Sequence, residues 1–402
     1  MRRWIIILLM LGLTGIGIVN AQQAIVVTRC AYDSSEGLGV NLTSALSAGG
    51  LIRFNCGSQT RIRITFTHDI NRDVIIDGGD RITLDGENNV VMFRLLASGR
   101  LTLRNLRITG GRYTGPRRIS LSNQPGTLDD LVYDAGVIQS PFGAPILIED
   151  CEFSNNEKPI TSVNGQVTIR DSQFNENTRG ALTNYYGAVL VERTRFARNE
   201  SGIFGAAIDN ISGTLTVQDN STFSRNQSPV AGGAIASSGD LTIEDTDFLI
   251  NRAPLGGALY LRSAGSVTIR RSRFEQNSAR REGGAILRQG TSAANVALYI
   301  EDSRFRENTA DIGGAIALSP GSSESNLGIL TLNGVIFSRN QAREGAAING
   351  REFGIDAISS LFAGNEAAET GGAIVLRNDT PHPSRLANSL IVRNRSRDAV
   401  LF

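Results

Sequence analysis

The sequence predicts an all-β fold, a parallel β-helix, from two interleaved motifs and the strand pattern between them. A Phe-x-x-Asn step recurs at intervals of 21 to 32 residues, and a glycine step of the GGAI type recurs between its copies. Short runs such as Leu241-Thr242-Ile243 place apolar residues at alternate positions, as in a β-strand. A repeat of this length accommodates three short strands and three turns, which is one coil of a β-solenoid.

The Phe-x-x-Asn step predicts columns of identical side chains inside the solenoid. Its copies are Phe153/Asn156, Phe174/Asn177, Phe196/Asn199, Phe223/Asn226, Phe248/Asn251, Phe274/Asn277, Phe305/Asn308, Phe337/Asn340, Phe362/Asn365 and the degenerate Ile391/Asn394. Because coils stack at about 4.8 Å, we expect phenylalanine to lie on phenylalanine and asparagine on asparagine. Such a ladder satisfies amides that would each cost about 2 kcal/mol or more if they were buried unpaired.

The glycine step predicts a sharp corner with positive φ or with close backbone contact between coils. It occurs as GAAI, GGAI or GGAL at Gly205, Gly232, Gly256, Gly283, Gly313, Gly345 and Gly371. A leucine-rich or helical solenoid is the main alternative. It is disfavoured because the apolar residues alternate with period two and no helix-length segment separates the strands.

The N-terminus has the features of a secretory signal peptide, predicted for residues 1–21. Arg2 and Arg3 precede an apolar run, Trp4–Val19, that is short for a membrane span of roughly 20 residues. Small residues before position 22 place cleavage after Ala21, and an uncleaved anchor is the alternative. The mature protein is therefore expected to be secreted, extracellular or on the cell surface, with no membrane span after cleavage.

Residues 22–60 are predicted to form an N-terminal cap. The segment Asn41–Gly50 reads as one short helix, with Asn41 as its N-cap and Gly49 at its end. Cys30 and Cys56 would suit a disulfide in an oxidising compartment, and two buried thiols are the alternative. Cys151 is interpreted as a small core residue.

Residues 61–402 are predicted to form the β-helix itself, with a loop insertion at 112–135. Its first strands place Ile62, Ile64 and Phe66 on one face, and His68-Asp69 is interpreted as a turn pair. The insertion contains Gly-Pro and Pro-Gly steps, so we interpret it as a surface loop that projects from one coil.

Charged residues at matching positions of successive strands predict a self-paired surface row. The row contains Glu149, Arg170, Glu192, Gln218, Glu244, Arg270 and Glu301. The chain carries 40 basic and 39 acidic residues, a formal charge of +1. This balance gives no reason to expect a nucleic-acid partner.

The two motifs resemble the GGA[ILV] and FxxN repeats of polymorphic outer membrane proteins and of secreted bacterial right-handed β-helix proteins of the pectin-lyase-like superfamily. The resemblance covers Gly136 to about Asn394. Cys30, Leu42–Gly50 and Cys56 are similar to the cap of the secreted group. The resemblance implies a right-handed parallel β-helix with a short N-terminal capping helix.

The resemblance also implies what an active site would contain. Lyases of this fold bind Ca²⁺ through clustered acids and use Arg or Lys as a base, whereas its glycosidases use paired or triple aspartates. The candidates are the sole lysine Lys158, the acids Glu244, Asp245 and Asp247, the pair Asp129-Asp130, and the histidines His68 and His382. Each lies in a context more typical of turns, so no catalytic, metal-binding or cofactor-binding residue is assigned and no cofactor is expected.

The sequence therefore favours a non-catalytic protein of interaction, adhesion or glycan binding, with an extracellular polysaccharide or a cell-surface protein as its partner. A polysaccharide lyase or glycoside hydrolase is the alternative. The repeat runs almost to Phe402, so Arg393, Arg395, Arg397 and Asp398 are expected either to protect the exposed strand edges of the last coil or to accompany end-to-end self-association.

Overall fold

The protein is a right-handed parallel β-helix of about 13 turns, as predicted. The computed structural model describes residues 23–114, 135–262, 265–290, 298–320, 328–377 and 384–398. Strands of neighbouring coils pair in parallel and in register, as Phe223 pairs with Phe248 and Ile235 with Leu259. The described residues lie in two large sheets and two small ones.

The 25-stranded major sheet has two arms joined at a corner. The first arm contains Ile25–Val27, Gly50–Phe54, Ile146–Glu149, Gln166–Arg170, Ala188–Glu192, Thr214–Gln218, Leu241–Glu244, Val267–Arg270, Leu298–Glu301, Ile329–Asn333, Gly354–Ile358 and Arg385–Ala387. The Phe arm contains Thr60–Arg63, Glu152–Ser154, Gln173–Asn175, Arg195–Ala197, Thr222–Ser224, Asp247–Leu249, Arg273–Glu275, Arg304–Arg306, Ile336–Ser338, Leu361–Ala363 and Leu390–Val392. Two longer strands, Asp73–Val90 and Arg100–Gly111, run through both arms.

The other sheets close each coil. A 12-stranded sheet follows the glycine corners and is called here the GGA sheet. It contains His68–Ile70, Phe93–Leu95, Ile138–Ser140, Ile160–Val163, Leu182–Tyr185, Ile208–Ile211, Ile235–Ser237, Leu259–Arg262, Ile286–Gln289, Ile316–Ser319, Ile348–Arg351 and Ile374–Arg377. The two small sheets pair Arg252–Leu255 with Ser278–Glu282, and Gln341–Glu344 with Glu366–Thr370 and Arg395–Asp398.

The predicted phenylalanine column is confirmed. Adjacent rings from Phe153 to Phe362 have centroids 4.7–5.0 Å apart and planes within 13° of parallel. All nine rings are fully buried. The degenerate copy continues the register, because Ile391 pairs with Phe362. Ring stacking follows from the coil spacing, which brings each side chain over its counterpart.

The predicted asparagine ladder is also confirmed. Asn251 Oδ1 accepts hydrogen bonds from the backbone N–H and the side-chain amide of Asn226, both at 3.0 Å. Asn251 Nδ2 donates to the carbonyl of Phe223 at 2.9 Å and to Asn277 Oδ1 at 3.0 Å. The same pattern repeats along the solenoid, and each buried amide is therefore satisfied by its neighbours in the column.

The glycine corners have the predicted geometry. Gly232 has φ +67°, in the left-handed region that favours glycine. A Cβ atom on Gly233 would collide with the carbonyl oxygen of Gly257 in the next coil. The first glycine of the step thus makes the turn, and the second permits close contact between coils.

The N-terminal cap contains the one helix of the described ranges, Leu42–Ala48. Asn41 is its N-cap and accepts from Ser44 N at 2.8 Å, while Gly49 ends it with φ +77°. Cys30 and Cys56 are joined by a disulfide, with their Cα atoms 5.8 Å apart. Within the described ranges no helix has the length and apolar character needed to cross a membrane.

Two local predictions are wrong. Phe66 does not share the buried face of Ile62 and Ile64, because its strand ends at Arg63 and its side chain is 43% exposed. His68 does not lie in a turn: it begins a strand of the GGA sheet and its side chain is buried. Its Nε2 lies 3.0 Å from Asp33 Oδ2, so a partner distant in sequence holds it inside.

Three predicted features lie largely outside the described residues. The signal peptide at 1–21 is one of them. The insertion at 112–135 is described only at residues 112–114 and 135. The third is the set of candidates Asp129, Asp130 and His382. The signal peptide, the insertion and these candidates therefore remain predictions.

Candidate functional site

The predicted charged row lies along the first arm and is paired with itself. Arg170 lies 2.7 Å from Glu192 and 3.9 Å from Glu149, measured between side-chain nitrogen and oxygen atoms. Arg270 lies 3.1 Å from both Glu244 and Glu301. Alternation of sign between neighbouring coils therefore neutralises this face, which makes it a poor docking surface for a charged partner.

The acids considered for a calcium site are also engaged by arginine. Asp245 lies 2.8 Å from Arg271, Asp247 lies 2.7 Å from Arg273, and Glu244 contacts both Arg270 and Arg271. Hydrogen bonding to Asp245 raises the pKa of Arg271. Because Arg270, Arg271 and Arg273 are each paired with a carboxylate, they do not combine with the neighbouring Arg304 into an unpaired basic patch. The described part of the chain contains no group of three or more His, Cys, Asp or Glu residues that could hold a metal ion.

A groove of about 490 Å³ lies at the corner between the GGA sheet and the first arm. It spans four coils and is called here the corner groove. Its lining residues are three consecutive residues from each coil: Asn164–Gln166, Tyr186–Ala188, Ser212–Thr214 and Ser238–Asp240. Of the residues considered from the sequence as catalytic or metal-binding, those that the structure describes lie outside it.

Stacked glycines form the floor of the corner groove. They are Gly165, Gly187, Gly213 and Gly239. A Cβ atom on any of the last three would collide with the carbonyl oxygen of the glycine in the preceding coil. Only glycine therefore fits these positions, and the floor is flat backbone without side chains.

A polar column lies beneath the floor and holds its carbonyl groups. Asn184 Nδ2 donates to Gly187 O at 3.0 Å, Asn210 Nδ2 to Gly213 O at 2.9 Å, and Ser237 Oγ to Gly239 O at 3.2 Å. Two acceptor atoms in this column, Ser162 Oγ and Asn184 Oδ1, are buried and have no hydrogen-bond partner. They face the floor, since a Cβ on Gly165 or Gly187 would lie 2.7 or 2.8 Å from them.

One wall of the groove carries an exposed aromatic side chain. Tyr186 is 48% exposed and its backbone has φ +60°. Its neighbours in the column, Asn164 and Ser212, have φ near +55° and are small polar residues that tolerate this conformation better. The tyrosine ring is not buried by this conformation and lies exposed beside the groove, where it can contact a ligand.

The groove is weakly acidic. Asp240 is the single carboxylate among its lining residues, which include no lysine, arginine or histidine. Asp240 Oδ1 accepts a hydrogen bond from Ser266 N at 2.8 Å. Glycoside hydrolysis ordinarily uses two carboxyl groups, and a lyase needs a base together with a cation for the uronate. These lining residues can bind a polar ligand, but they include neither a pair of carboxyl groups nor a base together with a cation site.

A second polar cluster lies on the outer side of the GGA sheet and is mostly enclosed. Arg262 Nη2 donates to Asp209 at 3.2 Å across two coils, and its guanidinium carbon lies 4.4 Å from the Phe204 ring centroid. The small Ala236 occupies the coil between them. Burial raises the pKa of Asp209, while the charges of Arg262 and Lys158 lower it.

The corner groove was not predicted from the sequence. A signal exists, because a turn residue followed by glycine precedes four successive strands: Asn164-Gly165, Tyr186-Gly187, Ser212-Gly213 and Ser238-Gly239. The Phe-x-x-Asn and GGAI steps are more regular and dominate the pattern. Only stacking shows that these dipeptides form one continuous surface.

Comparison with known proteins agrees with the architecture. Residues 95–248 match the family described as right handed beta helix region. The matched segment includes the whole corner groove and the first five phenylalanines of the column. No curated protein and no solved structure gives a significant match.

Proposed function

We propose that this right-handed β-helix protein is secreted or displayed at the cell surface and binds extended glycan chains in the corner groove without cleaving them. Export is supported by the sequence of residues 1–21 and by the Cys30–Cys56 disulfide, since disulfides persist in oxidising compartments. Glycan binding is supported by a long, flat, polar groove with one exposed aromatic ring, because sugars offer both hydroxyl groups and apolar ring faces.

The observation that carries the proposal is the placement of Tyr186. Its ring is exposed beside a glycine floor, on a backbone conformation that disfavours a bulky side chain. Other corners of the solenoid carry bulky residues such as Arg193 and Ile250 in this conformation, so the exposed ring beside the groove, and not the backbone, is what favours a ligand. The lining residues contain a single carboxylate, which favours binding over cleavage.

The experiment measures binding of the mature protein to a panel of polysaccharides and compares the Tyr186→Asn variant. We expect this variant to lose binding while keeping or gaining thermal stability, because asparagine relieves the left-handed strain. Ile250→Asn is the matched control, since Ile250 has φ +60° at a different corner. A blank over the whole panel, or equal binding by wild type and Tyr186→Asn, would remove the proposal.

Cleavage of a glycan remains the second candidate function, and Asp209 is the observation that favours it. Asp209 lies in the mostly enclosed cluster, 3.2 Å from Arg262, and burial raises the pKa of its carboxyl group, as a general acid requires. Incubation with a polyuronate panel, with and without Ca²⁺, tests for unsaturated product, and a reducing-end assay tests for hydrolysis. Product formation that Asp209→Asn abolishes would establish this function and overturn the non-catalytic proposal.

We extend the proposal to end-to-end association of two copies through the last described coil. Leu386, Leu390 and Ile391 are between 36% and 56% exposed there. Light scattering should show association that grows when Arg393, Arg395 and Arg397 are replaced by serine, because these charges oppose pairing of strand edges. A strict monomer after that replacement would contradict the extension.

A further inference from the structure

We infer that the corner groove takes a neutral, ribbon-like 1,4-linked glycan that lies along the solenoid axis, with one sugar ring on Tyr186 and another on Phe142. The inference rests on the proposed function and names the class of glycan and its direction. It depends on the position of Phe142 and on the charge of the groove.

Phe142 provides a second exposed aromatic ring at the same corner. Its side chain is 55% exposed. Ile146 pairs with Val167, and Val167 pairs with Val189, so Phe142 lies two coils before Tyr186 and is offset by one residue. Two coils correspond to roughly 10 Å along the axis. A Cβ on Gly143 would lie 3.4 Å from Asn164 O, so the turn that carries Phe142 packs on the first coil of the groove.

This spacing suits a chain whose sugar rings repeat in pairs. In a ribbon-like 1,4-linked glycan every second ring presents the same face, and the two aromatic side chains are separated by a distance comparable to one disaccharide unit. Phe142 and Tyr186 could therefore stack on rings i and i+2 of one chain, one side chain on each ring. A ligand lying across the coils would meet only one of them, so the chain direction is along the axis.

The charge of the groove selects against acidic glycans. Asp240 is its single carboxylate, and the lining residues include no cation. A polyuronate in the groove would bring further carboxylates close to Asp240 with no positive charge to offset them. A neutral chain carries no such penalty, since its hydroxyl groups can donate to Asp240.

The test uses two hexasaccharides that differ only in charge, β-1,4-mannohexaose and β-1,4-hexamannuronate. Calorimetric titration of the mature protein at low ionic strength should show at least tenfold tighter binding of the neutral chain. Asp240→Asn should narrow that ratio by improving binding of the acidic chain. Equal or tighter binding of hexamannuronate by the wild type would overturn the neutral specificity.

The length of the glycan and variants of the aromatic residues test whether two sugar rings stack on Tyr186 and Phe142. This placement is called here the two-ring register. A mannotriose is the shortest chain that reaches both rings, so its affinity should exceed that of mannobiose by about tenfold. Phe142→Ala should remove this gain and weaken hexasaccharide binding about tenfold, whereas Ile250→Asn should leave both unchanged. A length series without a step at three sugars, or wild-type affinity in Phe142→Ala, would overturn the two-ring register.

Different results would contradict the proposed function and the two-ring register. If mannohexaose binds and Tyr186→Asn weakens it, but Phe142→Ala has no effect, the proposed function stands and the register is wrong. If neither hexasaccharide nor any polysaccharide of the panel binds, the proposed function itself is wrong.

Discussion

Left-handed backbone at the corners is the main constraint on single residues of this solenoid. One column at the corner after the Phe arm contains Asn155, Arg225, Ile250 and Gln276, with φ between +55° and +60°. Isoleucine is unusual there, because a β-branched side chain crowds the following carbonyl in this conformation. The solenoid tolerates it since pairing on both sides fixes the corner.

Replacing Ile250 should therefore stabilise the protein. Ile250→Asn is expected to raise the free energy of unfolding by about 0.5–1 kcal/mol, because left-handed strain of roughly 1–2 kcal/mol is relieved against some loss of apolar burial. Denaturant unfolding measures the change. Ile203→Asn, at an exposed position outside the left-handed region, should be neutral. A loss of stability in Ile250→Asn would contradict the strain argument.

The asparagine ladder predicts a large effect from a small side chain. Asn251→Ala removes two side-chain donations and takes one hydrogen-bond partner from each of three buried groups, which are Asn226 N, Asn226 Nδ2 and the Phe223 carbonyl. Each lost partner costs about 1–3 kcal/mol, so the expected loss is about 3 kcal/mol or more. Gln227→Ala, at an exposed position of the next column, should change the denaturation midpoint little. Similar midpoints for the two variants would contradict the ladder's role.

At the scale of elements, the N-terminal cap is held to the first coils by a buried carboxylate. Asp33 accepts from Thr65 N at 3.0 Å and Thr65 Oγ1 at 2.8 Å, and lies 3.0 Å from His68 Nε2. Burial raises the pKa of Asp33, but these hydrogen bonds outweigh it, so its pKa lies below the ordinary value. The charged form is thus the one that stabilises the cap.

The sign of the pH dependence follows. A carboxylate whose pKa is lowered by folding contributes stability that is present above its unfolded pKa, about 3.9, and is lost as the pH falls through the folded value. Asp33→Asn should lower the free energy of unfolding by roughly 1–2 kcal/mol at pH 7. The difference between wild type and variant should shrink as the pH falls below about 4. A difference that grows as the pH falls below about 4 would contradict the stabilising role of the Asp33 carboxylate.

The sequence is informative about elements wherever a column repeats one residue type. Phe248, Asn251 and Gly232 were placed correctly because each recurs at the same point of successive coils. His68 was misplaced because its partner Asp33 is 35 positions away and no periodic pattern joins them. Phe66 was misplaced because the strand ends three residues earlier than the alternation indicates.

At the scale of the whole molecule, the solenoid offers faces of different character. The first arm is covered by alternating ion pairs, whereas the corner groove has a backbone floor, an exposed ring and one carboxylate. The sequence could predict the first face, since charges at matching positions are visible in the repeat. It could not predict the groove, because Asn164, Tyr186, Ser212 and Ser238 share no residue type and become one wall only when the coils stack.

The most direct measurement is a crystal structure of the mature protein with β-1,4-mannohexaose. We expect a chain parallel to the solenoid axis over Gly165, Gly187 and Gly213, with one sugar ring against Tyr186 and another against Phe142. A chain bound across the coils, or bound on another face with the corner groove empty, would contradict it.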